Sequence, residues 1–392
     1  MTAPLGVEIA NDPRLPEIDR LRGLVMVIMA LDHMRDFFDA DSMRFSPTDL
    51  DHTYPFLFFT RFITHFCAPT FALLAGVGAY LYGARRQDPK ALSVFLASRG
   101  LWLILLDIVV ISPIWVGPGR FSLETLWAIG SGLLCLSVLS LLPARAALVV
   151  GAAIIIGHNL LDGVHPADLG AFGPFWPMIH ERGPLPFGAP GAVHYPALPW
   201  IGVVTLGYGI GPLFQKAPAE RDRILRLGGL GALTVFVLLR AGNVYGDPHP
   251  WATQRDPILS LLSFLNVSKY PPSLLYLLVT LGGAALALPL LAKVGGRVGS
   301  WLAIFGRTPL FFYVLHLYVG VAGAIALAYA KGYRIEDVAN FMTSGAPPAD
   351  FGAGLAGAYA AWLTILILLY PLCRWFADVK RRRVDLWWLS YL

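Results

Sequence analysis

Apolar runs close to the roughly 20 residues that a helix needs to cross a hydrocarbon core recur along almost the whole of this 392-residue chain. Such a pattern leaves little for a water-facing surface. Hydrophobic residues make up 56% and charged residues 14%, with a mean hydropathy of +0.61, against about 45–50% and about 25% in soluble domains. The expectation is an all-α, polytopic transmembrane helical bundle formed as one domain over 1–392, with a polar leader at 1–19 and a tail at 377–392. The first apolar run ends in Asp32-His33-Met34-Arg35-Asp36 instead of a small-residue cleavage site, so it is read as a retained helix.

Runs and interruptions predict helices near 20–39, 54–82, 94–116, 122–142, 144–161, 195–214, 224–241, 271–292, 300–329 and 353–376, about ten spans. With a cytoplasmic N-terminus, the connections holding Arg85, Arg86 and Lys90, then Arg145, then Lys216 to Arg226, then Lys293 and Arg297, and finally Lys380 to Arg383 all fall inside. That is the positive-inside pattern, and it puts both termini in the cytoplasm. The opposite connections are longer and rich in Gly, Pro, His and aromatic residues, which suits a bulky acceptor met outside. The net charge of +5 belongs to these inner connections, so nucleic acid is not an expected partner. Cys67, Cys135 and Cys373 are isolated in apolar stretches and read as packing residues.

Ionisable groups within spans are costly and are therefore usually paired or functional. On the opening helix, Arg22 and His33 are eleven residues apart, close to three turns, so they share one face about 16 Å apart along the axis. Asp36, and alternatively Asp32, is placed to orient the His33 imidazole. The plainer reading has Arg22 snorkelling, Asp32 paired with Arg35, and His33 satisfied by an interhelical hydrogen bond. In the second span Arg61 and His65 lie one turn apart, and Pro69 cannot donate to the His65 carbonyl, so the helix is weakened there. In Gly306-Arg307-Thr308-Pro309, Thr308 reads as the N-cap of a separate helix. Beside Arg307, that helix start suits a phosphate. His316 lies deeper and alone, and reads as packing. Lys269-Tyr270-Pro271-Pro272 sits at the outer interface as an anchor or a substrate contact. His158, His165, His180 and His194 lack metal-ligand spacing, and no metal is expected.

Together, Ile18 to Gly23 with Ala30 to Asp36, Thr64 to Pro69, Pro199-Trp200-Ile201-Gly202, Lys269 to Ser273 and Gly306 to Tyr313 resemble bacterial members of the heparan-alpha-glucosaminide N-acetyltransferase catalytic-domain family. The resemblance implies a membrane-embedded N- or O-acyltransferase of the bacterial inner membrane. Acetyl-CoA or another acyl-CoA on the cytoplasmic side would donate to an amine or hydroxyl of an envelope amino sugar outside. A homodimer is compatible with this reading. His33 becomes the general base or acyl relay, with Asp32 and Asp36 as its support. His65 competes with it, as does His52, which falls near the position of the lysosomal relative's luminal catalytic histidine. Arg22, Arg307, Thr308 and Arg61 would hold the CoA; Arg35, Lys269, Tyr270 and His52 would face the acceptor. The rival expectation is a proton-coupled transporter or lipid-linked sugar flippase using the same His, Asp and Arg residues.

Overall fold

A computed structural model describes residues 15–334, 336, 337, 348, 351–383, 385, 386, 388 and 389. Residues 1–14 of the expected leader and most of 335–350 in the last outer connection lie outside the described residues. The chain runs through α1 (Pro16–Phe38), α2 (Ala40–Arg44), α3 (Pro55–Thr64), α4 (Cys67–Arg86) and α5 (Pro89–Leu106), which passes through a π-turn into α6 (Ser112–Val116). Then come α7 (Thr125–Leu139), α8 (Ala144–Gly157), α9 (Trp176–Ile179), α10 (Ala197–Ile210), α11 (Pro218–Gly242) and α12 (Pro257–Leu265). The described helices close with α13 (Leu274–Lys293), α14 (Gly296–Arg307), α15 (Pro309–Ala330) and α16 (Gly354–Arg382).

Among the described residues eight helical stretches are long and apolar enough to cross a membrane, and each overlies one expected span. The other two expected spans are helices of a different kind. Thr125–Leu139 is apolar but short, and α1 carries too many charges to face lipid. Instead, α1 packs against α3, α4, α13, α14, α15 and α16, so its surroundings are protein. It starts at Pro16, and its first turn takes in Glu17 and Asp19. Likewise α16 runs on to Arg382, through the start of the expected tail. The bundle also carries a small sheet in the order β1 (Phe121–Leu123), β3 (Gly191–Val193), β2 (Gly183–Pro184), with β1 parallel and β2 antiparallel to β3. Nothing in the sequence pattern had marked it.

Two breaks follow from proline chemistry. The second expected span divides at His65 and Phe66 between α3 and α4, because Pro69 has no N–H for the His65 carbonyl. The Tyr276 hydroxyl donates to that carbonyl at 2.8 Å and replaces the missing bond. The ninth divides at Thr308, with Pro309 opening α15. Thr308 holds the N-cap position of α15 with Pro309 in the first turn, as expected, but it is buried and its hydroxyl donates back to Ile304 O at 3.1 Å instead of making a cap bond.

The connections gather at two ends. At the basic end Arg20 donates to Leu291 O and Ala292 O at 3.0 Å each, Arg22 to Gly306 O at 2.9 Å, and Arg221 to Glu17 at 2.5 Å. At the opposite end Asn266 donates to Thr48 O at 3.0 Å and the Ala353 amide to Phe38 O at 2.7 Å. Where α1 crosses α14, a Cβ on Gly23 would lie 1.9 Å from Leu302 O and one on Gly306 1.8 Å from Asp19 O. Only glycine lets the two backbones touch, as in other small-residue crossings within membranes. Gly23→Val and Gly306→Val should each destabilise the detergent-solubilised protein by at least about 1–3 kcal/mol; unchanged melting of both variants would refute the crossing.

Candidate functional site

Asp32 organises the middle of the molecule. It is 6% exposed. Its carboxylate accepts from Arg61 Nη1 at 2.7 and 2.8 Å and from the Thr64 hydroxyl at 2.7 Å, and it pairs with Arg35 Nη1 at 2.7 Å. Lys269 Nζ stands 3.8 Å away. Three cations from α1, α3 and the segment before α13 thus converge on one carboxylate. A buried charge is tolerable only with such pairing. Arg35 is 1% exposed and also holds Asp36 at 2.6 Å. Asp36 therefore engages Arg35 and does not orient His33. Arg61 is committed to Asp32.

The partner of His33 is His316, on α15. Their Nδ1 and Nε2 atoms are 2.6 Å apart, and the rings stack with centroids 4.9 Å apart. His316 is fully buried, and its Nδ1 lies 2.9 Å from Phe312 O. A carbonyl oxygen only accepts, so Nδ1 of His316 carries the proton, and in the neutral ring Nε2 is left as an acceptor. His33 Nδ1 then donates to it, which leaves the lone pair of His33 on Nε2. The tautomers are thus assigned from the partners. The expectation that His316 stands alone is corrected. Trp115 and Tyr313 complete the surroundings, with ring centroids 5.4 and 6.2 Å from that of His33.

A cavity of about 440 Å³ runs along α1. Arg22, Met26 and Met29 line it at i, i+4 and i+7, and His33 is the next position on that face. Its mouth is cationic, with Arg22, Arg307 and Lys380, and its walls are largely apolar, with Phe71, Leu74, Phe95 and Leu133, while Arg99, one turn past Phe95 on α5, adds a charge farther along. Farther from the mouth it is bounded by Thr125 and by Tyr313, the neighbour of His33. A second hollow of about 380 Å³ shares Arg22, Arg307 and Lys380 and adds Arg85 and Arg381. Asp19 steadies the rim, 3.3 Å from both Arg22 and Arg307. Pro309 and Leu310 bring the start of α15 to the cavity wall.

The remaining expected residues are dispersed. His65 is buried against Tyr276 and Phe62, with ring centroids 5.3 and 6.0 Å away. His52 is exposed on the loop before α3, where its Nδ1 meets Asp49 at 2.8 Å. That hydrogen bond holds the Asp49 carboxyl below its ordinary pKa. Lys269 and Tyr270 do sit together at the end opposite the cationic mouth, with Arg182 4.9 Å over the Tyr270 ring and Tyr195 OH 3.4 Å from its hydroxyl. The sequence reading passed over Arg99, Tyr313 and Trp115 as site residues. A half-buried arginine within an apolar helix and a tyrosine one turn from His316 were the available signals, and nothing near Trp115 in the sequence marked it.

Truncating Asp32 to Ala leaves Arg35, Arg61 and Lys269 without their common counter-charge. It should cost about 3–5 kcal/mol, read as a lowered melting temperature. Asp36→Asn, at a side chain 34% exposed, should cost far less. Equal stability of the two variants would contradict the hub.

The family model described as heparan-alpha-glucosaminide N-acetyltransferase, catalytic, matches residues 14–241, more than half of the chain. The matched segment holds Asp32, His33, Arg61 and His65. The motifs at Lys269 and Arg307 lie beyond it. No curated protein matches this chain.

Proposed function

We propose that this chain, which belongs to the heparan-alpha-glucosaminide N-acetyltransferase catalytic family, moves an acyl group from acyl-CoA to an amine or hydroxyl of a sugar, with His33 as the base. The family membership points to an acetyltransferase, and the eight described helices long and apolar enough to cross a membrane point to a multi-pass membrane protein. The observation that carries the finer reading is the cavity: cationic at its mouth, apolar along most of its length apart from Arg99, and reaching the aromatic neighbour of His33. That sequence of surfaces matches a nucleotide phosphate, a pantetheine arm and a thioester. Arg22, Arg307 and Lys380 would take the phosphates as charge-assisted donors. The basic end would face the cytoplasm of a bacterial inner membrane, as the charge pattern of the connections favours.

At the far end, Nε2 of His33 would take the proton from the acceptor amine or hydroxyl as it attacks the thioester carbonyl. The carbon–sulfur bond then breaks, and the CoA thiolate leaves with a proton returned by the imidazolium. His316 would keep the reacting nitrogen unprotonated at rest by accepting the Nδ1 proton. The His33–His316 hydrogen bond leaves the lone pair of His33 on Nε2, which supports direct transfer with His33 as a base. Arg182, Lys269 and Tyr270 would meet the acceptor from the opposite side, and an envelope amino sugar is the acceptor class this reading favours.

With acetyl-CoA and glucosamine as the assay pair, His33→Gln should lower turnover by about 10²–10⁴-fold while leaving CoA binding intact. Full turnover in that variant would remove His33 from the chemistry. His316→Phe should reduce turnover too, since the Nδ1 proton of His33 loses its acceptor. Arg307→Ala and Lys380→Ala should each weaken CoA by about 1.5–3 kcal/mol, roughly ten- to hundred-fold in Kd, with a reduced salt dependence. Calorimetric titration showing wild-type affinity in both would rule out the cationic mouth as the phosphate site.

A further inference from the structure

At the same end as Lys269 and Tyr270, but outside the proposed transfer machinery, the close of α8 and the short helix α9 bring His158, Asp162 and His180 together. One ligand atom from each lies within 4.8 Å of the other two. Both imidazoles are 2% exposed; three of their four ring nitrogens have no polar partner, and the fourth, His180 Nε2, has only Asp162. Buried polar atoms ordinarily find partners, so three orphans in one cluster point to something that the rings are built to hold. His180 Nε2 stands 3.2 Å from Asp162 Oδ1, without hydrogen-bond alignment. That is close to the roughly 3.3 Å between neighbouring ligands of a tetrahedral ion with bonds of about 2.0–2.1 Å.

The carboxylate is itself held from behind. Asn159 Nδ2 donates to Asp162 Oδ2 at 2.8 Å, and Asn159 Oδ1 accepts the Leu274 amide at 2.8 Å. Outer partners of this kind orient the ligands of a metal. We infer that His158, Asp162 and His180 bind one zinc-class divalent cation, with the fourth position left to water. Two imidazoles and a single carboxylate suit zinc and are a poor set for calcium or magnesium, which take oxygen ligands. A ligand spacing of up to 4.8 Å must close by about 1.5 Å to meet such bond lengths, a movement within the reach of side-chain rotation. Each ring then coordinates through one nitrogen and keeps its proton on the other.

The carboxylate was the ligand that spacing among histidines alone could not reveal: Asp162 follows His158 by one turn, and His180 returns only after α9. The ion would clasp the segment from α8 to Arg182, which lies over Tyr270, to the start of α13. It would thereby brace one wall of the acceptor side.

Tag-free protein purified without added metal should retain about one zinc per chain by mass spectrometry. Protein stripped with a chelator should regain thermal stability with micromolar Zn²⁺, and with Co²⁺ should show the visible absorption of a four-coordinate site. His158→Gln, His180→Gln and the milder Asp162→Asn should each lower metal content at least tenfold and abolish the Zn²⁺-dependent stabilisation. Stripped wild-type protein that shows neither a Co²⁺ spectrum nor a Zn²⁺-induced shift overturns the site. So does zinc retained undiminished in Asp162→Asn and both histidine variants, which would mark an adventitious ion only. Loss of the metal in a variant that still binds CoA would separate this site from the transfer reaction.

Discussion

The arrangement turns on one carboxylate. Asp32 is set in the middle of an apolar bundle and draws to itself Arg61 of α3, Arg35 of its own helix, and Lys269 from the connection before α13. Elements far apart in sequence thus share a single buried counter-charge, and none of them can leave without exposing unpaired charge to a medium that solvates it poorly. Such pairing is a weak source of net stability, because desolvation cancels much of the attraction. It is a strong source of registry. The depth at which α1 sits relative to α3 and α13 is set by it, and so is the depth of His33, one residue away.

Around that hub the two ends of α1 do different work. Its basic end, with Arg22 and Asp19, forms the rim of the cavity beside Arg307. Toward the other end His33 meets His316 across the interface with α15. One helix therefore links the mouth of the cavity to the imidazole through Arg22, Met26 and Met29. The proposed reaction needs such a link, since a donor with a long arm must be held at one end and consumed at the other.

Much of the architecture is legible in local patterns. Apolar run length marks every long helix, and Pro69 and Pro309 foretell the two breaks because their effect is on a neighbouring carbonyl or amide. The face shared by Arg22 and His33 follows from helical periodicity and is the face that lines the cavity up to Met29. What periodicity does not carry is the identity of partners across helices. Asp36 looks like the natural support for His33 because it is one turn away, yet Arg35, its immediate neighbour, claims it, and the partner of His33 comes from α15. His316 seems isolated only because nothing near it in sequence is charged. Likewise Thr308 has the chemistry of a cap, but its burial between α14 and α15 turns the hydroxyl back to Ile304. The opening helix shows the same limit from another side: its charges argue against a lipid-facing span, and they are accommodated because six other helices surround it.

The contact between Gly23 and Gly306 fixes more than the angle of two helices. With main chain resting on main chain, α1 and α14 have no side-chain cushion through which to slip. Arg22 directly precedes one glycine and Arg307 directly follows the other. The backbone anchor points of those two guanidinium groups are therefore locked together like teeth on one casting, and only their rotamers remain free to adjust the gap.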